Sequence, residues 1–415
     1  MTTSSAPVWL LGAGASIGAG MPSTGQLTET VRFAQPVARH TNKRWRLGAP
    51  ATAEEPESSI WTSAIRHLLA EAHALVSRLY EDQHTPVSYE DLHYVVCQMA
   101  DLVSGEYDNP AVGPLVEGVR ARLDPQLATM RLSGGLPVKF QELVLETTHF
   151  VVDVVAARLS AEPDCEKLGT LRAVVDGLDD GCAGDGTAVV ATLNHDKVLE
   201  SALKARKVTF TDGFDLRDGD LRFWSPRALE ELPPGVVLLK VHGSVDWSRW
   251  EPQAATQADE VEGKPEERRV GIVCVSSEAA PKDACGRAWS AKDGRQPCVL
   301  VGTFNKMLDY AAEPFFDLHA AFVRSLRRTD RLVVCGYGFG DKGVNRFICN
   351  WMAADPGNRM VVVDEKAASI RERARGAIAR SWSRWLESHR LTRIDQKLEH
   401  VTWRQIAAAL SASTP

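Results

Sequence analysis

Short β-rich runs recur along this chain, and several are apolar at odd and even positions alike: VWLL (8–11), TAVVATL (187–193), VVLLKV (236–241), DRLVVCGYGF (330–339) and RMVVVDE (359–365). Side chains of a strand point alternately to the two faces of its sheet, so a run without polar alternation has to be covered on both faces. Parallel sheets with crossover helices above and below meet that requirement. The chain supplies such helices in HDKVLESALK, PFFDLHAAFVRSLRR, GVNRFICNWMAA and KAASIRERARGAIARSWSRWLESH. With the shorter runs KVTFT (207–211), GIVCV (271–275) and CVLVGTF (298–304) added, the pattern predicts an α/β fold: a Rossmann-like, doubly wound, mostly parallel sheet.

Between the first two runs the period changes from strand to helix. SSIWTSAIRHLLAEAHALVSRLY, SYEDLHYVVCQMADLV, LPVKFQELVLETTHFVVDVVAARL and KLGTLRAVVDGL place apolar residues three and four apart, and Ser88 with Asp91 forms an N-cap box at the start of the second. The predicted organisation is therefore a sheet domain from 1–25 and 186–415, with a helical insertion over 26–185. The charged stretch 251–269 reads as an exposed loop.

Composition narrows the function. A formal net charge of −6 over 415 residues argues against a broad phosphate-gripping face, so strong direct nucleic-acid binding is not expected. The 8 cysteines are scattered without a C-x-x-C, which argues against a zinc site or a dithiol redox motif. The N-terminal apolar run lacks a preceding basic residue and is rich in Gly, unlike a signal peptide, and no run reaches the roughly 20 apolar residues of a bilayer span. A soluble, cytoplasmic protein without membrane contact is expected.

Five places carry candidate chemistry, all at strand ends. In LLGAGASIGAG, Gly12 and Gly14 follow a strand and allow close approach of a diphosphate to a helix N-terminus. The third glycine, Gly18, falls one position late for G-x-G-x-x-G, and a tight structural turn explains the loop equally well. TAVVATL delivers Asn194, His195 and Asp196 to the carboxyl end of a strand, where α/β proteins bind ligands, although Asp196 also suits a helix cap. LLKVHGS ends a buried strand in His242, whose imidazole suits proton transfer near neutrality, and Gly243 lets the backbone turn away. VVCGYGFGD offers Gly336, Gly338 and Gly340 for close approach and Asp341 as a ligand contact or an N-cap. MVVVDE ends in Asp364, placed to accept hydrogen bonds from a ribose.

As an ordered set these motifs resemble the sirtuin superfamily. The Gly-Ala-Gly-x-Ser loop is matched by Gly12, Ala13, Gly14 and Ser16, the T-x-N-x-D segment by Thr192, Asn194 and Asp196, and the His-Gly strand end by His242 and Gly243. The paired-Cys zinc module of deacylating sirtuins and their G-I-P-D-F-R segment are missing. The GAGMPST form, the YEDL helix start and the GYGFGD turn resemble instead the bacterial sirtuin-like effectors of anti-phage defence.

That resemblance implies an NAD+ hydrolase that uses NAD as substrate, needs no metal, and depletes NAD to halt growth of the infected cell. Asn194 would position the ribose or an attacking water, His242 would act as general base, and Asp196 would orient the ribose. Gly12, Ala13, Gly14, Ser16, Thr192, Gly336, Gly338, Asp341 and Asp364 would hold the dinucleotide, and His195 is given no catalytic role. A homo-oligomer is expected, and relatives work with a hexameric DNA-translocating ATPase or a short argonaute. The alternatives are a zinc-free deacylase or ADP-ribosyltransferase, and a non-catalytic nucleotide-binding sensor or scaffold.

Overall fold

The computed structural model describes residues 6–48, 55–81, 86–105, 110–253, 269–274, 280–291, 296–302 and 310–411. The chain forms two compact units: one of residues 1–21, 160–299 and 307–415, the other of residues 22–159 and 300–306. Residues 160–185, grouped by periodicity with the helical insertion, cluster with the sheet unit. The charged stretch 251–269 lies largely outside the described residues.

In chain order the strands are β1 (Val8–Leu11), β2 (Val37–Arg39), β3 (Trp45–Leu47), β4 (Thr187–Thr192), β5 (Phe210–Thr211), β6 (Leu216–Asp218), β7 (Leu221–Phe223) and β8 (Gly235–Lys240), followed by β9 (Gly243–Pro252), β10 (Arg269–Val273), β11 (Trp289–Ala291), β12 (Pro297–Val299), β13 (Arg331–Cys335), β14 (Arg359–Val363) and β15 (Leu391–Ile394). The main sheet has 7 strands in the order β15-β14-β13-β1-β4-β8-β5. Every pairing in it is parallel. It is the doubly wound α/β sheet that the apolar runs required. β1 sits in the middle, with later strands added first on one side and then, from β13 onward, on the other.

The double-sided apolarity of the strands finds its cover. Trp9, Leu11, Val190, Leu238, Val333 and Val361 share one core with residues of the helices Arg172–Gly181, Val198–Ala205 and Trp403–Ser411. Residues of opposite parity, among them Leu10, Val189, Leu239, Val334 and Val362, are buried as well. The helix Phe315–Arg327 packs on β8, and the helix Ala377–Glu387 packs on β15. The two edge strands differ from the centre as expected of edges: β5 has two residues, and β15 buries only Leu391.

The runs GIVCV and CVLVGTF form strands, β10 and β12, but outside the parallel sheet. They join a 6-stranded sheet in which β9 pairs antiparallel with β10, β11 and β12. The cause is proximity along the chain. β9 starts directly after His242, and its Trp250 packs with Leu221, Phe223 and Trp289 in a core separate from that of the parallel sheet. β9 itself was not visible in the sequence because SVDWSRWEP mixes charge and aromatics. β15 has a related cause, since LTRI is half polar and short.

In the second unit the helices Ser58–Tyr80, Tyr89–Ser104 and Phe140–Leu159 follow the predicted periodicity. The Ser88 capping box is present: Asp91 N donates to Ser88 Oγ (3.3 Å) and Ser88 N donates to Asp91 Oδ2 (3.0 Å). The helix Val112–Leu127, with Pro125 inside it, and the β2–β3 hairpin had no clear sequence signal. The hairpin is tied to the last helix by buried charge. Arg39 donates from Nε and Nη2 to Glu146 (2.7 Å each), and Trp45 Nε1 donates to Glu146 Oε1 (2.6 Å).

His93 in this unit is buried, and burial pushes its imidazole from 6.5 down to about 4 against the upward pull of a hydrogen bond with the Val301 backbone. The folded state therefore keeps His93 neutral where the unfolded chain takes up a proton. The stability this gives is present above pH 6.5 and is lost as pH falls toward 4. His93→Leu should flatten the pH dependence of unfolding in that window by up to about 1.4 kcal/mol per pH unit. Denaturant unfolding of both proteins across the window checks this, and equal slopes would contradict it.

Candidate functional site

The carboxyl ends of β1, β4, β8 and β13 bring the glycine loop, the Asn194 segment, His242 and the Gly336 turn to one edge of the sheet. Winding reverses between β1 and β13, so this edge contains the topological switch point at which open α/β sheets bind ligands.

The loop after β1 interlocks with the turn after β13. Gly12 N donates to Cys335 O (3.0 Å) and Gly14 N donates to Gly336 O (2.9 Å). A Cβ on Gly12 would lie 2.7 Å from Tyr337 Cα, one on Gly14 would lie 2.8 Å from Gly336 Cα, and one on Gly336, at φ +61°, would lie 2.2 Å from Ala15 N. Only glycines allow these backbones to approach so closely. Gly338 has no such crowding. The helix expected after the loop is Thr24–Phe33, opened by a Ser23–Gln26 capping box; the loop itself holds one short turn, Gly14–Ile17, whose Gly14, Ala15 and Ser16 N–H groups are engaged inside the loop and its partner turn. Ala13 and Gly14 are exposed on its outer side.

Asn194 ties the second segment to this loop. Its Nδ2 donates to Gly12 O (3.0 Å) and to Ser16 Oγ (2.9 Å), and its backbone N donates to Thr192 Oγ1 (3.1 Å). Ser16 Oγ in turn donates to Asp196 Oδ1 (3.2 Å), which also accepts from Val198 N (3.0 Å) and so opens the following helix. Asp196 is thus a buried latch one residue ahead of the N-cap Lys197, while Asn194 is half-buried at the crevice. His195 is buried, and its ring lies 6.3 Å from that of His242.

His242 leaves β8 through Gly243, whose φ is +82°. A Cβ there would lie 2.0 Å from Cys298 O, so the turn admits no other residue without backbone movement. The imidazole Nε2 lies 3.1 Å from Asp341 Oδ2, with both side chains about 95% buried (5% and 4% exposed). Asp341 caps the helix Lys342–Ala354, accepting from Gly343 N (2.8 Å) and Val344 N (3.0 Å), and its carboxylate also accepts from Tyr310 Oη (3.0 Å). The Tyr310 ring stacks on His319 at 3.9 Å. A carboxylate held this way orients an imidazole.

Lys240, the last residue of β8, is 2% exposed and donates to Asp196 O and to Glu200 Oε1 (2.6 Å). Burial opposes its charge, but the carboxylates of Glu200, Asp246 and Asp196 outweigh that and hold the ammonium above the usual lysine range. Lys240, Tyr310 and His319 were not singled out in the sequence. Lys240 had a legible signal, a charge in the last position of the buried run VVLLK; the other two had none.

Asp364 ends β14, and its Oδ1 accepts from Lys366 N (2.8 Å), closing a turn. It is half-buried, at the strand beyond β13, and makes no described contact with the Asn194 or His242 groups. Among the described residues no three His, Cys, Asp or Glu side chains gather as a metal site, and no helix is long and apolar enough to cross a membrane. A groove of about 690 Å³ lies at the opposite, amino edge of the sheet, lined in part by Pro7, Gly186, Thr187, Arg331 and Trp403. It is remote from the groups that carry chemistry.

No protein-family model matches the chain, and no curated protein matches it. Among solved structures it is similar to a Sir2 homologue in complex with ADP-ribose (12% identity, 100% of this chain and 96% of that chain, TM-score 0.37). It is also similar to a Sir2 homologue–NAD complex (14%, 99% and 92%, TM-score 0.37) and to a Sir2–p53 peptide–NAD+ complex (11%, 97% and 92%, TM-score 0.32).

The geometry makes Gly243 a sharp test of how His242 is held. Gly243→Ala should cost at least about 2 kcal/mol, from the left-handed backbone together with the clash at Cys298 O. A thermal midpoint equal to that of the wild type would contradict this placement.

Proposed function

We propose that the protein is a sirtuin-like NAD+ hydrolase, converting NAD+ to nicotinamide and ADP-ribose, and that it serves as an NAD-depleting effector in bacterial anti-phage defence. The observation that carries the reading is the meeting of the glycine loop, Asn194 and the His242–Asp341 pair at the switch-point edge of a parallel sheet. The ordered motifs that resemble sirtuins supply those same groups.

Cleavage breaks the bond between the ribose anomeric carbon and the nicotinamide nitrogen through an oxocarbenium-like state. Water supplies the new C–O bond and gives up a proton, and the bonding electrons leave with nicotinamide. In this reading the dinucleotide lies over the exposed backbone of Ala13 and Gly14, near Gly12 and Ser16. The half-buried Asn194 orients the ribose or the attacking water. His242 accepts the proton from water or a ribose hydroxyl, and Asp341 steadies the imidazolium that results. Thr192 and Asp196 act by holding Asn194 and the loop, Gly336 acts through the interlock, and Gly338 and Asp364 are secondary contacts of the dinucleotide. Such an effector works in the cytoplasm and needs restraint. A homo-oligomer or a defence partner, such as a hexameric DNA-translocating ATPase or a short argonaute, would provide it.

Purified protein incubated with NAD+ should release nicotinamide and ADP-ribose in equal amounts without an added acceptor. Asn194→Ala and His242→Ala should each reduce turnover by at least about 100-fold with the fold intact, the scale of a lost general base or positioning group. Asp341→Asn should lower turnover in the same assay, because the imidazolium formed when His242 takes the proton loses its facing carboxylate. Turnover only with a protein or nucleic-acid acceptor, binding without turnover, or full activity in both alanine variants would each overturn the reading.

A further inference from the structure

On the flank of the parallel sheet, a groove of about 300 Å³ lies between the helices Lys342–Ala354 and Ala377–Glu387. Arg346, Arg384 and Arg390 line it together with Asn350, Ser381 and Cys349, and among the described residues no Asp or Glu does. Three positive charges thus face one small space without an acidic neighbour in its wall.

Two of those charges have no ion-pair partner among the described residues. Arg346 and Arg384 are exposed, and neither guanidinium has a hydrogen bond or ion pair among the described residues. The third is fixed in place. Arg390 Nη2 donates to Asp355 O (2.6 Å) and to Met352 O, and its Nε donates to Asn358 O (3.3 Å). Burial first, and then the like charges of Arg359 and Arg384, press the Arg390 guanidinium below its ordinary range, against the opposite pull of the Asp355 carboxylate. A guanidinium anchored on carbonyls beside two arginines without ion-pair partners offers an anion three donors in one small space.

We propose that this groove binds the terminal phosphate or diphosphate of a small phosphorylated ligand, with Arg346, Arg384 and Arg390 as its anion-binding residues. Planar guanidinium forks match phosphate oxygens two at a time, and Asn350 and Ser381 add neutral donors at the wall. The volume suits a phosphoryl group with a small attached moiety and is at the lower limit of ligand pockets. The groove shares no residue with the candidate NAD site, so the proposal stands whether or not the chain hydrolyses NAD+.

Cys349 provides a local readout, since its half-buried thiol lines the groove. The full chain is alkylated with iodoacetamide in the presence of pyrophosphate, inorganic phosphate, or sodium chloride at matched ionic strength. Labelling of Cys349 is followed by peptide mass spectrometry, with the exposed Cys165 as internal reference. Pyrophosphate should slow labelling of Cys349 and leave Cys165 unchanged. Arg346→Gln and Arg384→Gln should each raise the concentration needed by about tenfold, the scale of one lost charge-assisted contact. Arg380→Gln, an exposed arginine of the same helix that does not line the groove, should change nothing. The proposal is overturned by absent protection, by equal protection from chloride, or by protection that survives both groove variants. Protection by a single-stranded oligonucleotide but not by pyrophosphate or phosphate also overturns it, because the groove would then read a phosphodiester backbone.

Discussion

The contact on which the site depends is backbone against backbone: Gly12 and Gly14 of the first loop lie directly on Gly336 of the turn after β13. Two strand-to-loop transitions of a parallel sheet normally diverge, because each chain must leave in the direction of its own crossover helix. Here they are locked by two main-chain hydrogen bonds that any β-carbon would break. The lock sets where the Gly12 carbonyl and the Ser16 hydroxyl stand, and those are the groups that hold Asn194.

Around this lock the polar side chains divide by burial. Asp196, Thr192 and Lys240 are almost fully enclosed, and their partners are within the protein. They fix a shape. Asn194, Ala13 and Gly14 keep surface at the crevice and are the groups that a ligand can reach. His242 belongs with the enclosed groups, paired with a carboxylate that is itself pinned by a helix terminus and a tyrosine hydroxyl. Removing a charge from such an enclosure leaves its partner unpaired in a low-dielectric setting, so the enclosed groups are coupled in a way that the crevice groups are not.

Much of this was legible in the chain because burial leaves a local trace. A strand that must be covered on both faces has no polar alternation, and that alone pointed to β1, β4, β8, β13 and β14. Glycine next to a polar residue at the strand end marked Gly12, His242, Gly336 and Asp341, and a cluster of polar residues marked Asn194. The traces failed where burial is partial. β9 and β15 carry mixed polarity, and the apolar runs of β10 and β12 resemble those of the parallel strands, so their pattern does not separate a parallel strand from an antiparallel one. Tyr310 and His319 left no trace, because their part in the site arises from distant packing.

By itself, then, the sequence determined that a covered parallel sheet had to form and which residues would stand at its carboxyl ends, since both follow from local periodicity and local turn chemistry. Tertiary structure decided which ends are neighbours. That Gly14 rests on Gly336, that His242 faces Asp341, and that Lys240 lies beneath the Asp196 carbonyl all depend on strand order. Strand order is set by long-range pairing and crossover geometry, and no window of sequence contains either.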